Sequence, residues 1–222
     1  MSTCSYPGQA GGTRAPKLSD VPRGVAIPEI RQHLFAALER VIVRDGPGKL
    51  SGRAVTGEAG VATGLLYSHF TDLDAFLAAY AVDRAFAVAA ECAPLPERAG
   101  TGEVAGNLCD TVLAIPLATV IASTRLLVAR PELVDRVQDV LGEHSTGLDA
   151  LESSFAAYLS AEQLRDRLPR TVRPEALAAA LVGIVQYRAL TDRAESETTE
   201  RIRRSITALV DGYPVQTPPR RG

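Results

Sequence analysis

The sequence is poor in several features that define protein classes. It has three cysteines, and the separation of Cys4, Cys92 and Cys109 along the chain allows neither a disulfide framework nor a CxxC metal-binding pair. No window reaches the roughly 18 consecutive apolar residues that a membrane-spanning helix needs. The N-terminus also lacks the apolar stretch of a signal peptide. We therefore expect a cytoplasmic protein with reduced thiols, two of them in a core.

Charge of one sign and catalytic signatures are missing as well. The formal net charge is −2, which counts against a polyanionic partner because nucleic-acid binders often carry a basic excess. His33, His69 and His144 lie on different predicted elements without a metal-ligand partner at helical spacing. The chain contains no nucleophile motif, P-loop or dinucleotide fingerprint. The sequence therefore predicts a protein that is not an enzyme and holds neither a metal nor a cofactor.

Apolar residues at helical spacing dominate what is present. With 222 residues, 46% of them apolar, the chain can build a substantial core. Apolar positions recur at three- and four-residue steps, and no segment shows the period-two alternation of a strand. We predict an all-α protein with a disordered arm (1–25), a small helical unit (26–71), a larger helical domain (72–213) and a flexible tail (214–222).

The small helical unit is predicted to hold three helices. The first follows an apolar stripe over residues 27–42. Ser51 is placed to cap a short second helix, and Gly60 can adopt the left-handed conformation of a sharp turn before a third helix over residues 62–69. Two short helices joined by a glycine turn are typical of a helix-turn-helix.

Later helices are predicted from their stripes and their caps. Thr71 with Asp74 resembles a capping box that opens a long fourth helix ending near Cys92. Pro131 sits at a favourable first-turn position, and a nearly unbroken apolar stripe from there to Leu159 predicts one long helix.

The third helix of the small unit has one apolar side and one side with hydroxyl groups and a glycine. Leu66 and Phe70 lie four residues apart and are predicted to point into the core. Thr63, Gly64 and Ser68 are then left on the outer side, with Leu65 at the edge. A glycine inside a helix costs about 1 kcal/mol relative to alanine, but it permits close approach of another surface. The hydroxyls could reach base edges or phosphates, and a leucine could meet a thymine methyl.

The residues 50–80, LSGRAVTGEAGVATGLLYSHFTDLDAFLAAY, resemble the DNA-binding signature of the TetR family of transcriptional repressors. That signature runs Thr-x-Arg-x-Ile-Ala-x-x-Ala-Gly-Val-Ser-x-Gly-x-Leu-Tyr-x-His-Phe, and the resemblance extends over residues 27–80. The positions in register are Ser51, Arg53, Val55, Ala59, Gly60, Val61, Gly64, Leu66, Tyr67, His69 and Phe70, with Ser51 and Val55 similar rather than identical.

This resemblance implies an N-terminal three-helix DNA-binding unit joined by a long helix to a larger helical domain for ligand binding and dimerisation. The implied function is that of a ligand-responsive transcriptional repressor. As a homodimer it would bind a palindromic double-stranded operator, and a small-molecule inducer would release it. The DNA-contact candidates are Ser51, Arg53, Thr63, Gly64, Leu65, Tyr67, Ser68 and His69. For Ser51 helix capping stays the stronger reading, and for Tyr67 and His69 packing stays the alternative to phosphate contact.

Two departures from the family pattern keep an alternative open. The lysine that usually starts the fourth helix is absent, since no Lys or Arg lies between Arg53 and Arg84. From Arg23 to Tyr80 the unit has six basic and six acidic side chains, so it neutralises few phosphates unless Arg14, Lys17 and Arg23 contribute. The alternative is an all-helical small-molecule-binding dimer with weakened or lost DNA binding.

The larger domain is predicted to bind a ligand and a second copy of the chain. Polar side chains on otherwise buried helix faces can orient a ligand in an apolar pocket. The candidates are Tyr80, Arg84, Asn107, Asp110, Thr111, Ser123, Thr124, Arg125, His144, Tyr158, Gln186 and Tyr187. Apolarity on more than one side of a helix needs more burial than one subunit offers, which predicts a two-fold interface. Its candidates are Ala178, Leu181, Val182, Val185, Ile202, Ile206 and Leu209.

Overall fold

The computed structural model describes residues 27–141, 147–191 and 195–212, and these residues form ten α-helices and two short 3-10 turns without a strand. The predicted all-α class is confirmed. The predicted arm (1–25) and tail (214–222), together with Cys4 and His144, lie outside the described residues. The helices are α1 Ile27–Asp45, α2 Gly52–Ala59, α3 Thr63–His69, α4 Leu73–Cys92, α5 Val104–Ala114, α6 Leu117–Ala129, α7 Glu132–Leu141, α8 Gly147–Leu164, α9 Pro174–Thr191 and α10 Glu195–Asp211.

The helix-turn-helix is formed by α2 and α3 and follows the predicted signals. Ser51 caps α2, since its hydroxyl accepts a hydrogen bond from the Ala54 amide at 3.1 Å. Gly60 ends α2 in the left-handed conformation, with φ at 69°. His33 of α1 contributes to the same corner through Nε2, which lies 2.8 Å from the Ala59 carbonyl oxygen.

Two predicted helix boundaries are wrong. The cap of α4 is Asp72 and not the Thr71–Asp74 box, because the Asp72 carboxylate accepts from the Ala75 amide at 2.7 Å while Asp74 binds Arg130. In place of the single helix predicted from Pro131 onward, the structure describes α7, which ends at Leu141, and α8, which begins at Gly147, and residues 142–146 lie outside the described residues. A Cβ at Gly147 would lie 3.1 Å from the Cα of Ala85, so the start of α8 requires a glycine to pack on α4.

The small unit is packed on the larger domain rather than tethered to it. Its core holds an aromatic group in which the ring of Phe35 lies 5.6 Å from the rings of both Phe76 and Tyr80. The same cluster continues into α6 through Ala122 and Leu126. Because one apolar core joins α1, α4 and α6, a change in the larger domain can act directly on the orientation of α1.

The larger domain has its own core between α5, α6, α8, α9 and α10, and two predicted core thiols, Cys92 and Cys109, are buried in it. Burial raises the pKa of the Cys92 thiol to about 11. Of the described helices, no single one is both long and apolar enough to span a bilayer, and α5 with α6 meets that test only as a pair bent by 75°.

Candidate DNA-reading face and ligand cavity

The outer side of α3 is presented to solvent in the predicted orientation. Leu66 is completely buried and Phe70 nearly so, which anchors the helix in the core of the small unit. Thr63, Gly64 and Ser68 are exposed and Leu65 is half-buried at their edge. A Cβ added to Gly64 would meet no atom within 4 Å. We call these four exposed or edge residues the reading face. No neighbouring atom of the described residues would prevent a larger side chain at Gly64.

Both hydroxyl groups of the reading face are held by intramolecular hydrogen bonds. The hydroxyl oxygens of Thr63 and Thr56 are 3.1 Å apart, and the Thr56 hydroxyl donates to the Gly52 carbonyl at 2.8 Å. The Ser68 hydroxyl donates to the Leu65 carbonyl at 2.7 Å. These bonds fix the rotamers of both side chains before any partner arrives.

Tyr67 extends from α3 across the first turn of α2. Its hydroxyl oxygen lies 2.6 Å from the position that a Cβ on Gly52 would occupy, so a larger residue at position 52 would have to displace the phenol. The Tyr67 side chain remains 49% exposed. The first amides of a helix have no intrahelical partner and carry a partial positive charge. The phenol and the start of α2 therefore form a group of donors next to the reading face.

Most cations of the small unit are already paired. Glu58 binds Arg44 at 2.6 Å and Arg40 at 2.7 Å, and these hydrogen bonds hold the pKa of the Glu58 carboxyl below its usual range. The Arg31 guanidinium stacks 4.8 Å from the centre of the Phe70 ring. Among the described residues, Lys49 and Arg53 make no ion pair.

A narrow apolar cavity lies in the larger domain, between α4, α5, α6 and the start of α8. It leaves about 50 Å³ for the centres of water-sized molecules. Four of the predicted ligand candidates line it: Tyr80, Arg84, Ser123 and Thr124. The Thr124 hydroxyl is buried and has no hydrogen-bond partner among the described residues. An unpaired buried hydroxyl is costly, so it is a natural contact for a polar group of a ligand.

Seven of the other ligand candidates do not line this cavity, which corrects their assignment, while His144 lies outside the described residues. Asn107 and Tyr158 are buried elsewhere and bind each other, with Asn107 Nδ2 donating to the Tyr158 hydroxyl at 2.9 Å. Other polar groups are used in structural contacts or lie at the surface. Thr111 donates to the Asn107 carbonyl, Asp110 pairs with Arg98, Arg125 donates to the carbonyls of Ala189 and Val43, Gln186 borders an adjoining groove that shares Thr124, Leu127 and Leu148 with the cavity, and Tyr187 is 59% exposed.

Sequence reasoning missed the residue that links this cavity to the small unit. Glu39 of α1 is buried, and one of its carboxylate oxygens, Oε1, accepts three hydrogen bonds from side chains that line the cavity. The donors are Arg84 Nε at 2.7 Å, Thr119 Oγ1 at 3.0 Å and the Tyr80 hydroxyl at 3.2 Å. Burial, together with the nearby Glu39 carboxylate, raises the pKa of Tyr80 above its ordinary value, so its phenol stays protonated and donates. The sequence feature that could have indicated this role is the position of Glu39 between Phe35 and Ile42 in an apolar stripe.

Comparisons with solved structures agree with this architecture. A Rhodococcus sp. protein assigned to the TetR family of transcriptional regulators is similar with a TM-score of 0.61 and 23% identity, over 83% of this chain and 98% of that one. The multidrug binding protein EbrR complexed with imidazole is similar with a TM-score of 0.51 and 25% identity, over 86% of this chain and 98% of that one. FadR from Bacillus subtilis in complex with stearoyl-CoA is similar with a TM-score of 0.61 and 13% identity, over 82% of this chain and 99% of that one.

The chain has the fold of the TetR-family transcriptional regulators. The resemblance found in the reading-face segment is thereby confirmed at the level of the fold. No protein-family model and no curated protein matches the sequence.

In this TetR-type fold, the residues predicted for the dimer interface lie inside the protomer. Six of the seven, Ala178, Leu181, Val182, Val185, Ile202 and Ile206, are at most 4% exposed, and only Leu209 is half-buried. A side chain without accessible surface cannot meet a partner, so this residue assignment is corrected. The exposed side of α9 instead carries small and apolar residues at steps of four and three, namely Ala176, Ala180, Gly183, Tyr187 and Leu190. We call these five residues the α9 stripe.

Proposed function

We propose that this protein is a DNA-binding transcriptional repressor that acts as a homodimer on a palindromic operator and is released by a small-molecule inducer. The observation that carries the proposal is the reading face, which presents two prearranged hydroxyls around a glycine with open space above it. Within a protomer Gly64 only weakens α3, so its presence is explained by a partner that must approach the backbone closely. The major groove of DNA admits a helix of this size.

Phosphate contacts are assigned to the donors beside the reading face. The Tyr67 hydroxyl lies over the first turn of α2, and Arg53 in that turn is exposed and makes no ion pair among the described residues. Phosphate oxygens accept hydrogen bonds and favour the positive end of a helix. The sequence-independent part of binding is therefore assigned to α2 and Tyr67, and base recognition is assigned to α3.

Dimerisation is assigned to the α9 stripe. Its positions follow the spacing at which one helix side faces a partner, and Gly183 has no atom within 4 Å of an added Cβ. Small residues let two helices approach closely, while Tyr187 and Leu190 supply exposed apolar area. To bind successive major grooves, the two reading faces of a dimer joined through α9 must lie about 34 to 36 Å apart.

Release is assigned to the cavity and its link to Glu39. EbrR with imidazole and FadR with stearoyl-CoA are similar folds that hold small molecules, which supports a ligand in this cavity. The space is narrow, so a larger ligand must displace the walls, and Tyr80, Arg84 and Thr119 of those walls hold α1 through Glu39. A ligand shifts the equilibrium only by its different affinity for the two arrangements. Displacement of these donors would re-orient the small unit and its reading face.

The test is selection of binding sites from random duplex DNA by the full-length protein, followed by affinity measurements at two salt concentrations. We expect a palindromic site, two protomers per duplex and weaker binding at higher salt. Tyr67→Phe removes one donor and should weaken binding to every sequence by a similar factor, with Ser153→Ala on the exposed side of α8 as the control for loss of a surface hydroxyl. The ion-paired Arg40 and Arg44 favour the rival function, a ligand-binding dimer without DNA. That rival would be established by a lack of sequence-selective, salt-sensitive binding.

A further inference from the structure

We infer that the reading face selects amino groups of DNA bases, chiefly adenine N6 in A·T pairs, and makes no hydrogen bond to guanine. This inference rests on the proposed function, because it names the bases that the same surface recognises. It follows from the direction in which each hydroxyl proton of the reading face points.

The Thr63 proton is used inside the protein. A hydroxyl has one proton to donate and two lone pairs that accept. The Thr56 proton is committed to the Gly52 carbonyl, at 2.8 Å. In the 3.1 Å contact between Thr56 and Thr63, Thr56 must therefore be the acceptor and Thr63 the donor. Towards solvent, Thr63 offers lone pairs alone.

The Ser68 proton is used in the same way. Its hydroxyl donates to the Leu65 carbonyl at 2.7 Å, a short and favourable bond within the helix. The lone pairs of the Ser68 oxygen remain on the exposed side of α3. Both polar groups of the reading face therefore present acceptors to a partner.

Acceptors on the protein restrict which base edges can be read. In the major groove, adenine N6 and cytosine N4 are the amino donors, whereas guanine N7 and O6, adenine N7 and thymine O4 are acceptors. The side chains that usually bind guanine are Arg and Lys, and α3 contains neither. Guanine therefore finds no donor on the reading face, and the amino groups find two acceptors.

Leu65 favours adenine over cytosine. It lies three residues before Ser68, on the adjacent side of α3, and is half-buried with its exposed part at the edge of the reading face. An A·T pair presents an amino group and the thymine methyl together, whereas a G·C pair has no methyl group in the groove. An acceptor beside an exposed leucine therefore fits A·T pairs better. Gly64, with open space around it, lets the helix come close enough for these short contacts.

The donors of the site lie where phosphates are expected instead. Tyr67 reaches over α2, and His69 is half-buried on the flank of α3 next to Leu66, away from Gly64 and Ser68. The surface is thus divided, with donors at the rim for the acceptor-only phosphates and acceptors at the centre for base amino groups.

The test uses the operator selected by the full-length protein and replaces single bases by analogues. Purine in place of adenine removes the N6 amino group, uracil in place of thymine removes the methyl group, and 7-deazaguanine in place of guanine removes N7. We expect purine to weaken binding about three- to tenfold at one or two positions of each half-site, as for the loss of one hydrogen bond. Uracil should weaken binding beside them, and 7-deazaguanine should have no effect anywhere in the half-site.

Variants assign each position to its side chain. Ser68→Ala should bind adenine and purine equally at one position, and Thr63→Val should do so at another, whereas Thr63→Ser keeps the hydroxyl and the discrimination. Loss of affinity with 7-deazaguanine, or purine sensitivity that survives both variants, would overturn the inference while leaving the proposed function in place. If no duplex is bound selectively, the proposed function fails and this inference fails with it.

Discussion

Replacement of Gly64 by alanine should make the protein more stable and a weaker DNA binder. Gly64 lies inside α3, where glycine costs about 1 kcal/mol relative to alanine. The added Cβ meets no atom within 4 Å, so no steric loss offsets this gain. For a chain of this length, about 1 kcal/mol corresponds to a rise of about 2 to 4 °C in Tm.

The same methyl group would lie between α3 and the DNA. We expect a loss of about 1 kcal/mol at each half-site, which is at the low end for a disturbed base contact. A dimer meets two half-sites, so the losses add to about 2 kcal/mol, a factor of about 30 in Kd. The measurements are thermal unfolding by circular dichroism and operator affinity by fluorescence anisotropy, both with the full-length protein.

Gly106→Ala in α5 is the matched control. Its Cβ would lie 3.5 Å from the Cβ of Glu103, an ordinary van der Waals distance, and α5 is far along the chain from the reading face. This variant should gain stability and keep its operator affinity. The reasoning is refuted if Gly64→Ala gains stability and binds the operator as tightly as the unaltered protein, because the glycine would then serve no close approach.

Three further outcomes are expected. Glu39→Gln leaves the partly buried Arg84 with a weaker partner and should lower the free energy of unfolding by about 1 to 3 kcal/mol in urea titrations. The control, Glu58→Gln at the surface, should have a smaller effect. An equal effect of the two variants would contradict the role of Glu39 as the link between the cavity and the small unit. Gly183→Leu fits open space in the protomer and should yield monomers in light scattering, whereas an intact dimer would exclude the α9 stripe as the interface. If Lys49 and Arg53 of the small unit each neutralise one phosphate, a dimer makes four such contacts, and the slope of log K against log salt should be about −4 when the arm is neutralised and steeper when it is not. The arm substitutions are Arg14→Gln, Lys17→Gln and Arg23→Gln.

The reading face could be predicted because its determinants are local. Leu66 and Phe70 fix which side of α3 is buried, and the side of every other residue follows from helix geometry. The hydrogen bond from Thr63 to Thr56 depends only on two helices joined by a short turn. The direction of this hydrogen bond could not be predicted, because it depends on the hydrogen bond that the Thr56 hydroxyl donates to the Gly52 carbonyl.

The link at Glu39 could not be predicted, because its three donors lie 41 to 80 residues away along the chain. A polar residue in an apolar stripe can either line a cavity or form a hydrogen bond with another buried side chain, and the sequence does not distinguish these two cases. Tyr80 faces the cavity, whereas Tyr158 and Asn107 satisfy each other in a closed part of the core. Their spacing and chemistry are alike, and only the packing of helices distant in sequence distinguishes them.

The α9 helix shows why residues chosen for their apolarity lie inside the protomer. The most apolar side of a helix is buried first, by its own protomer, because this burial gains the most free energy for each residue ordered. Leu181 and Val185 were used in that way, while Gly183 and Tyr187 remained on the outside. The exposed side of α9, and not its most apolar side, is therefore where we propose the contact with a second protomer.

If the proposed function holds, the sparse charge of the small unit gives the α9 stripe a role in DNA recognition. Because Arg40 and Arg44 are paired within the protomer, a single reading face would gain little affinity from phosphates and would depend on short hydrogen bonds and one leucine contact. A reading face of this kind would need a second one, linked to it by dimerisation, so that the second contact forms at high effective concentration. Linkage is reciprocal, so the operator must strengthen the dimer by the same factor by which dimerisation strengthens operator binding. On the proposed mechanism, a ligand that turns one reading face away from its half-site would therefore remove the affinity contributed by the pair, so that a small movement at Glu39 would be sufficient for release.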